Sequence, residues 1–264
     1  MNEGIDGPPP PLPELLARFR AAFERDAVET FRAWYRLQES LRDEGRGDEA
    51  RALADDLWLL AATLDLPDPS VRARFFHNLA VFFGSRGPAA SLSRSLEAFE
   101  VPLATWRTEE EPDDVARLHH NRGNALQSLG ASREELAESV AMYENALSWR
   151  DASRRVARAV TLHHLGSALR RLAELDREGA IAHLSRSVQA LEEAVSLRAA
   201  DGLREGEALS LFQLGLTLDA GTAFGLSAPP DVARAFDRAA AAFEAAGKEA
   251  EGAVARRLAD DRRR

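Results

Sequence analysis

The chain contains no cysteine. That excludes disulfides and thiolate metal sites and fits a reducing compartment. Lysine is nearly absent as well, with Lys248 the single example among basic residues that are otherwise arginine. Such a bias reflects codon usage in a GC-rich genome and points to a bacterial source. There is no apolar run of about 18 residues, the least that a membrane-crossing helix needs. The start, MNEGIDGPPPPLP, has neither the basic residues nor the apolar stretch of a secretory signal, so a cytoplasmic location is expected. Positive charge is also short: 34 basic against 43 acidic residues leave a net charge of −9. General nucleic-acid binding requires a basic surface to displace counterions, so no nucleic-acid partner is expected.

Catalytic signatures are missing too. No GxSxG elbow, GxxxxGK[ST] phosphate loop or HExxH pair occurs. Gly45-Arg46-Gly47-Asp48-Glu49-Ala50 matches the loose GxGxxA dinucleotide pattern. It follows a helical pattern where that fingerprint needs a strand, so it reads as a turn. No enzymatic activity and no cofactor are expected.

What is present is a folded, helical pattern. Of the 264 residues, 45% are hydrophobic and 29% charged, enough to bury a core over most of the chain. Residues 1–12, with Gly4, Gly7 and Pro8 to Pro11, favour extended polyproline II and read as a disordered leader; a ligand for a proline-reading domain is the alternative. From Pro13 to the end, 13–264, the pattern is one helical domain. Apolar residues recur at three- and four-residue spacing, as in Leu15, Leu16, Phe19, Phe23 and then Val28, Phe31, Trp34, Leu37, Leu41. Asp26 with Glu29, and Ser132 with Glu135, have capping-box spacing. Asp68-Pro69 and Pro112-Asp113 suit helix starts. Gly45 with Gly47, Gly84 to Pro88, Gly130, Gly202 and the stretch Gly221 to Pro230 suit breaks, and Asp176 suits another start. The expected units are 27–66, 69–108, 112–151, 154–199 and 203–246, with a closing helix over 248–262.

A repeat underlies these breaks. Phe76-His77-Asn78-Leu79-Ala80, His119-His120-Asn121-Arg122-Gly123, Leu162-His163-His164-Leu165-Gly166 and Leu211-Phe212-Gln213-Leu214-Gly215 are versions of one phrase. Their small residues lie 43, 43 and 49 positions apart, and a degenerate copy around Gln38 lies 42 before Ala80. Glycine costs about 1 kcal/mol in a helix interior, so its recurrence there predicts close helix crossings. A bulky residue follows each copy in a second helix: Phe99, Tyr143, Leu191 and Phe243. A lone helix pair cannot bury its apolar face, so such units stack.

Trp34, Leu37 and Leu41 fit the tryptophan, leucine and tyrosine places of the tetratricopeptide first helix, with Gln38 where the glycine belongs. With the LHHNRGNALQSLG wording and the long spacing, the chain resembles the kinesin-light-chain variant of the tetratricopeptide repeat (TPR) family. The resemblance covers residues 27–246. It implies an all-α solenoid of about five antiparallel helix pairs in a right-handed superhelix, used to bind protein partners. Bacterial members accompany CHAT proteases or signalling ATPases, which become the implied partner classes.

In that family first-helix positions six and three before the small residue, and one and four after, face the groove. Here these positions, with the neighbouring column two before, give Arg74, His77, Asn78, Arg117, His120, Asn121, Asn124, Gln127, His163, His164, Arg170 and Gln213 as partner-binding residues. Amides can hold an extended peptide backbone and arginines favour carboxylates, so an acidic or amide-rich segment is the expected ligand. The competing reading has the arginines on a solvated face and the histidines packed between first helices. Adjacent histidines point to different helix faces and no carboxylate shares their column, so a metal site is not expected. The chaperone-tail clamp of some relatives finds His77, Val81, Val160 and His164 in its places, with only Asn121 matching. The expected function is an adaptor or regulatory subunit; a peptide or small-ligand sensor and a structural assembly subunit are the alternatives.

Overall fold

The structure is a computed structural model that describes residues 43–63, 68–86, 89–106, 112–130 and 132–264, with isolated positions between 14 and 41. The proline-rich leader lies outside these residues. Among them are ten α-helices and no strand: α1 Gly47–Thr63, α2 Pro69–Arg86, α3 Ala89–Thr105, α4 Pro112–Leu129, α5 Arg133–Ser148, α6 Arg155–Leu175, α7 Ala180–Ala200, α8 Arg204–Thr222, α9 Pro229–Ala245 and α10 Glu249–Asp261. The chain divides into two compact units, residues 1–76 and 77–264. The first holds buried Trp34, Leu41, Ala50 and Ala54 and an edge-to-face pair of Phe75 with Phe76. The second carries the array described below.

Local sequence sets most helix ends. Asp68 accepts hydrogen bonds from the backbone N–H of Ser70 and Val71 and so caps α2. Ser132 and Glu135 form the reciprocal capping box of α5. Gly45, Gly130, Gly202 and Gly247 follow helices with positive φ, which a glycine takes without steric cost.

Four expected boundaries move. Gly47 opens α1 and does not close the preceding helix, Gly84 lies inside α2, and Gly221 lies inside α8. Asp176 ends α6 instead of starting α7. Its carboxylate accepts from the Gly179 backbone N–H at 3.3 Å and lies 3.1 Å from His183 Nε2, so it holds the turn and α7 begins only at Ala180.

Residues 77–264 are built from helix pairs. α4 packs on α5, α6 on α7 and α8 on α9, while α3–α4, α5–α6 and α7–α8 contacts join successive pairs and α10 closes on α9. The small residues explain how the partners approach. A Cβ placed on Gly123 would stand 2.8 Å from the Tyr143 ring, on Gly166 2.5 Å from Leu191 and on Gly215 2.7 Å from Phe236. The bulky partner of Gly215 is therefore Phe236, not the expected Phe243, which packs with Leu211, Ala239 and Ala255 further along α9. A second feature accompanies each crossing but the last. The hydroxyls of Ser95, Ser139 and Ser187 donate to the carbonyls of Ala80, Gly123 and Gly166 at 2.7, 2.9 and 2.7 Å. Each serine lies one helical turn before the bulky residue of its helix, so the same contact supplies both packing and a hydrogen bond.

Gly123→Ala should gain helix propensity yet lose about 1–3 kcal/mol overall, because the Tyr143 ring must be displaced. Gly47→Ala, where a Cβ meets nothing within 4 Å, should be neutral or stabilising. Urea unfolding of both variants distinguishes the crossing from the bare propensity effect.

Candidate functional site

The three histidines of the column each meet a neighbouring helix, and two of them are buried. His77 is 4% and His120 8% exposed. His77 packs edge-on against Trp106 at 5.3 Å, and its Nε2 lies 3.0 Å from Asn121 Nδ2. His120 and His163 each contact His164, at 5.3 and 5.4 Å between ring centroids, and His164 stacks on Tyr143 at 6.0 Å. His77 and His120 are thus packed between first helices, while His163 and His164 are only partly buried.

Polar groups run through this column in a repeated order. His120 Nδ1 lies 3.1 Å from Thr161 Oγ1 of the next first helix, and His163 Nδ1 lies 3.2 Å from Ser210 Oγ of the one after. Both hydroxyls stand five positions before their glycine. A buried arginine from the end of the intervening second helix meets each. Arg150 donates to Thr161 Oγ1 and to the Ala157 carbonyl, the latter at 2.8 Å. Arg198 donates to Ser210 Oγ and to the Gly206 carbonyl, both at 2.6 Å. At the joint before Gly123 the position of the hydroxyl is taken by buried Leu118 and that of the arginine by buried Trp106. Two joints therefore carry a hydroxyl–arginine pair and the third does not, its polar link being His77 with Asn121.

Burial sets the charge states. It holds His120 and His163 down to about 3, helped by His164 and by Arg150 or Arg198 respectively. His164 is lowered to about 4 by burial and by Arg198, and His77 to about 4 by burial and by Arg117. Burial likewise lowers Arg150 and Arg198 and raises Tyr143. These four imidazoles are neutral at pH 7.

The amides form a second chain beside the column. Tyr143 Oη lies 2.8 Å from Asn124 Oδ1 and 2.7 Å from Gln127 Oε1. One phenolic proton serves one oxygen, so one of the two amides presents its NH2 group instead. Asn124 Nδ2 also lies 3.3 Å from His120 Nε2, and Gln127 Nε2 reaches Ser167 Oγ at 3.1 Å. Asn121, Asn124, Gln127 and Gln213 are part-buried with edges open to solvent. Gln213 Nε2 is buried with no hydrogen-bond partner. Asn78 is exposed on α2. Arg74 is exposed on the portion of α2 in the first unit.

The expected arginines carry neighbours of their own. Arg117 pairs with Asp114 and Arg170 with Glu174, each within about one helical turn. Their charge is shared with these carboxylates, so the face is amide-rich more than basic. Among the described residues no group of three or more His, Asp or Glu is arranged to hold a metal. No helix of the described residues is long and apolar enough to cross a membrane.

The motif reading missed Tyr143, Arg150, Thr161, Arg198 and Ser210 as members of this network. Their signal was a hydroxyl five before two of the glycines and an arginine shortly before the helix that carries each. Thr161→Val should cost about 1–3 kcal/mol, because the Arg150 guanidinium and His120 Nδ1 lose a buried partner. Adding Arg150→Met should recover part of that loss, since both ends of the contact become apolar. Urea midpoints of the single and double variants measure the difference.

No protein-family model matches the sequence, and no curated protein is significantly similar to it. The fold does have solved counterparts. The nearly identical TPR-like repeats of a Podosopora anserina putative kinesin light chain superpose with a TM-score of 0.56 at 17% identity, covering 80% of this chain and 93% of that one. A single-substitution form of the same repeats gives 0.58 at 16%, covering 82% and 96%. BtubC (BKLC) from P. vanneervenii gives 0.52 at 18%, covering 94% and 86%. At these identities the likeness establishes the fold, an all-α solenoid of TPR-like helix pairs.

Proposed function

We propose that the chain is an adaptor or regulatory subunit that holds a segment of a protein partner along its first helices, and that it catalyses nothing. TPR-like repeats generally mediate protein–protein interactions. The observation that carries the proposal is the set of partly exposed amides Asn121, Asn124 and Gln127 on α4, the last of them bonded to Ser167 of α6, with Gln213 at the corresponding place on α8. Amides offer donor and acceptor together, which suits the backbone of an extended peptide. Tyr143 and His120 hold Asn124 from behind, so its orientation is fixed before a partner arrives and little side-chain entropy is lost on binding. Arg117 and Arg170 flank this set and would reward acidic residues in the same segment. His77, His120, His163 and His164 belong to the support of the face.

A CHAT-type protease or a signalling ATPase is the partner class that the sequence resemblance implies. The arginine bias and the absence of cysteine support a bacterial cytoplasmic setting.

The test compares affinity capture by three forms of the full chain, read by mass spectrometry. Wild type and a variant of the second-helix surface, Glu192→Ala, should retain the same partner. Asn121→Ala combined with Arg117→Ala and Arg170→Ala should lose it, with capture falling at least about tenfold if the face contributes more than about 1.4 kcal/mol. Circular dichroism should be unchanged in all three. Equal capture by the triple variant would remove the face from the binding surface.

A further inference from the structure

Three imidazoles, with His164 touching both His120 and His163, lie where α4, α6 and α8 meet. We propose that this cluster is an acid-sensitive joint: a proton entering it finds two guanidiniums and no carboxylate, so the fold refuses protons there and its folding constant falls as the pH drops below about 6.5. The inference does not depend on which partner the first-helix face binds.

The groups in contact with the rings are neutral or positive, and the one carboxylate felt by the cluster is Asp113 of α4, which acts on Arg150. From α4 come His120 itself and Asn124. Tyr143 of α5 stands over His120 and His164, at 5.7 and 6.0 Å between ring centroids. The segment after α5 brings buried Arg150 to Thr161, and α7 brings buried Arg198 to Ser210. α8 contributes Ser210 beside His163. The carboxylates of the neighbourhood have ion-pair partners of their own. Asp114 pairs with Arg117, Asp113 with Arg154, Asp201 with Arg155 and Glu193 with Arg158. Charging a ring here sets it against Arg150 or Arg198 in a medium of low polarity, where like charges repel strongly.

The direction of the pH effect follows from linkage. In the unfolded chain a histidine titrates near 6.5, whereas these rings stay neutral in the fold until well below that value. Below pH 6.5 the unfolded state therefore binds protons that the folded state refuses. Stability is present above pH 6.5 and is lost as the pH falls towards the folded values of about 3 to 4. Between pH 6.5 and 5 each ring lowers the folding constant by up to about tenfold per pH unit, so the cluster contributes up to about a thousandfold per unit. Ion-paired carboxylates act mainly below that window, because their unfolded values lie near 4.

The experiment follows the folding constant of the full chain by urea unfolding at pH 7.5, 6.5, 5.8 and 5.2. His164→Phe keeps a ring against Tyr143 without a titrating nitrogen, and His163→Gln keeps a polar group towards Ser210. Each should reduce the pH 6.5–5.2 slope by about one decade of folding constant per unit. Slopes equal to wild type would overturn the proposal. If either variant fails to fold, the imidazole resonances of the wild-type protein decide. Rings that remain neutral at pH 5.2 support the joint, and rings that titrate near pH 6.5 refute it.

Discussion

The close crossing of first and second helices at a residue without a side chain is the constraint on which the array rests. Gly123, Gly166 and Gly215 let the Tyr143, Leu191 and Phe236 side chains lie directly on a helix backbone. Such proximity would expose the carbonyl of the crossing residue to a dry interface. In the repeats of Ala80, Gly123 and Gly166 a serine hydroxyl accompanies the bulky residue and occupies that carbonyl. In the last pair the equivalent residue, four before Phe236, is buried Val232. The backbone geometry therefore tolerates either arrangement, and the small residue is the part held in common.

That dependence explains which features could be read from the chain alone. The period of 43 to 49 residues between small residues is a direct imprint of the crossing and revealed the helix pairs, and the capping residues Asp68 and Ser132 marked helix starts. Asp176 misled because aspartate serves a helix start and a turn equally well, and only the position of His183 decides between them. Phe243 misled because aromatic residues seven apart lie on one helical face, and Phe236 and Phe243 both have a place in the core.

The candidate face was legible as a register and not as an exposure. Counting from the small residues aligned His77, His120 and His163 in one column of first-helix positions. Whether a column faces solvent or the adjoining helix depends on a rotation of a few tens of degrees, which no spacing encodes. Asn124, Gln127 and His163 are partly exposed, while His120 is buried against Thr161. The arginines of greatest structural consequence, Arg150 and Arg198, lie at or beyond second-helix ends, where basic residues are ordinarily solvated and attract no notice.

The joint where Trp106 and Leu118 replace the arginine and the hydroxyl has a consequence for how such a chain can change in length. A repeat protein is often regarded as a row of exchangeable modules, free to gain or lose a unit by recombination. Here a rearrangement that brought the end of α5 against the start of α4 would set the Arg150 guanidinium opposite Leu118, and the reciprocal junction would leave Thr161 facing an indole. A boundary of one kind does not match a boundary of the other, so the order of the units is part of the fold along with their number.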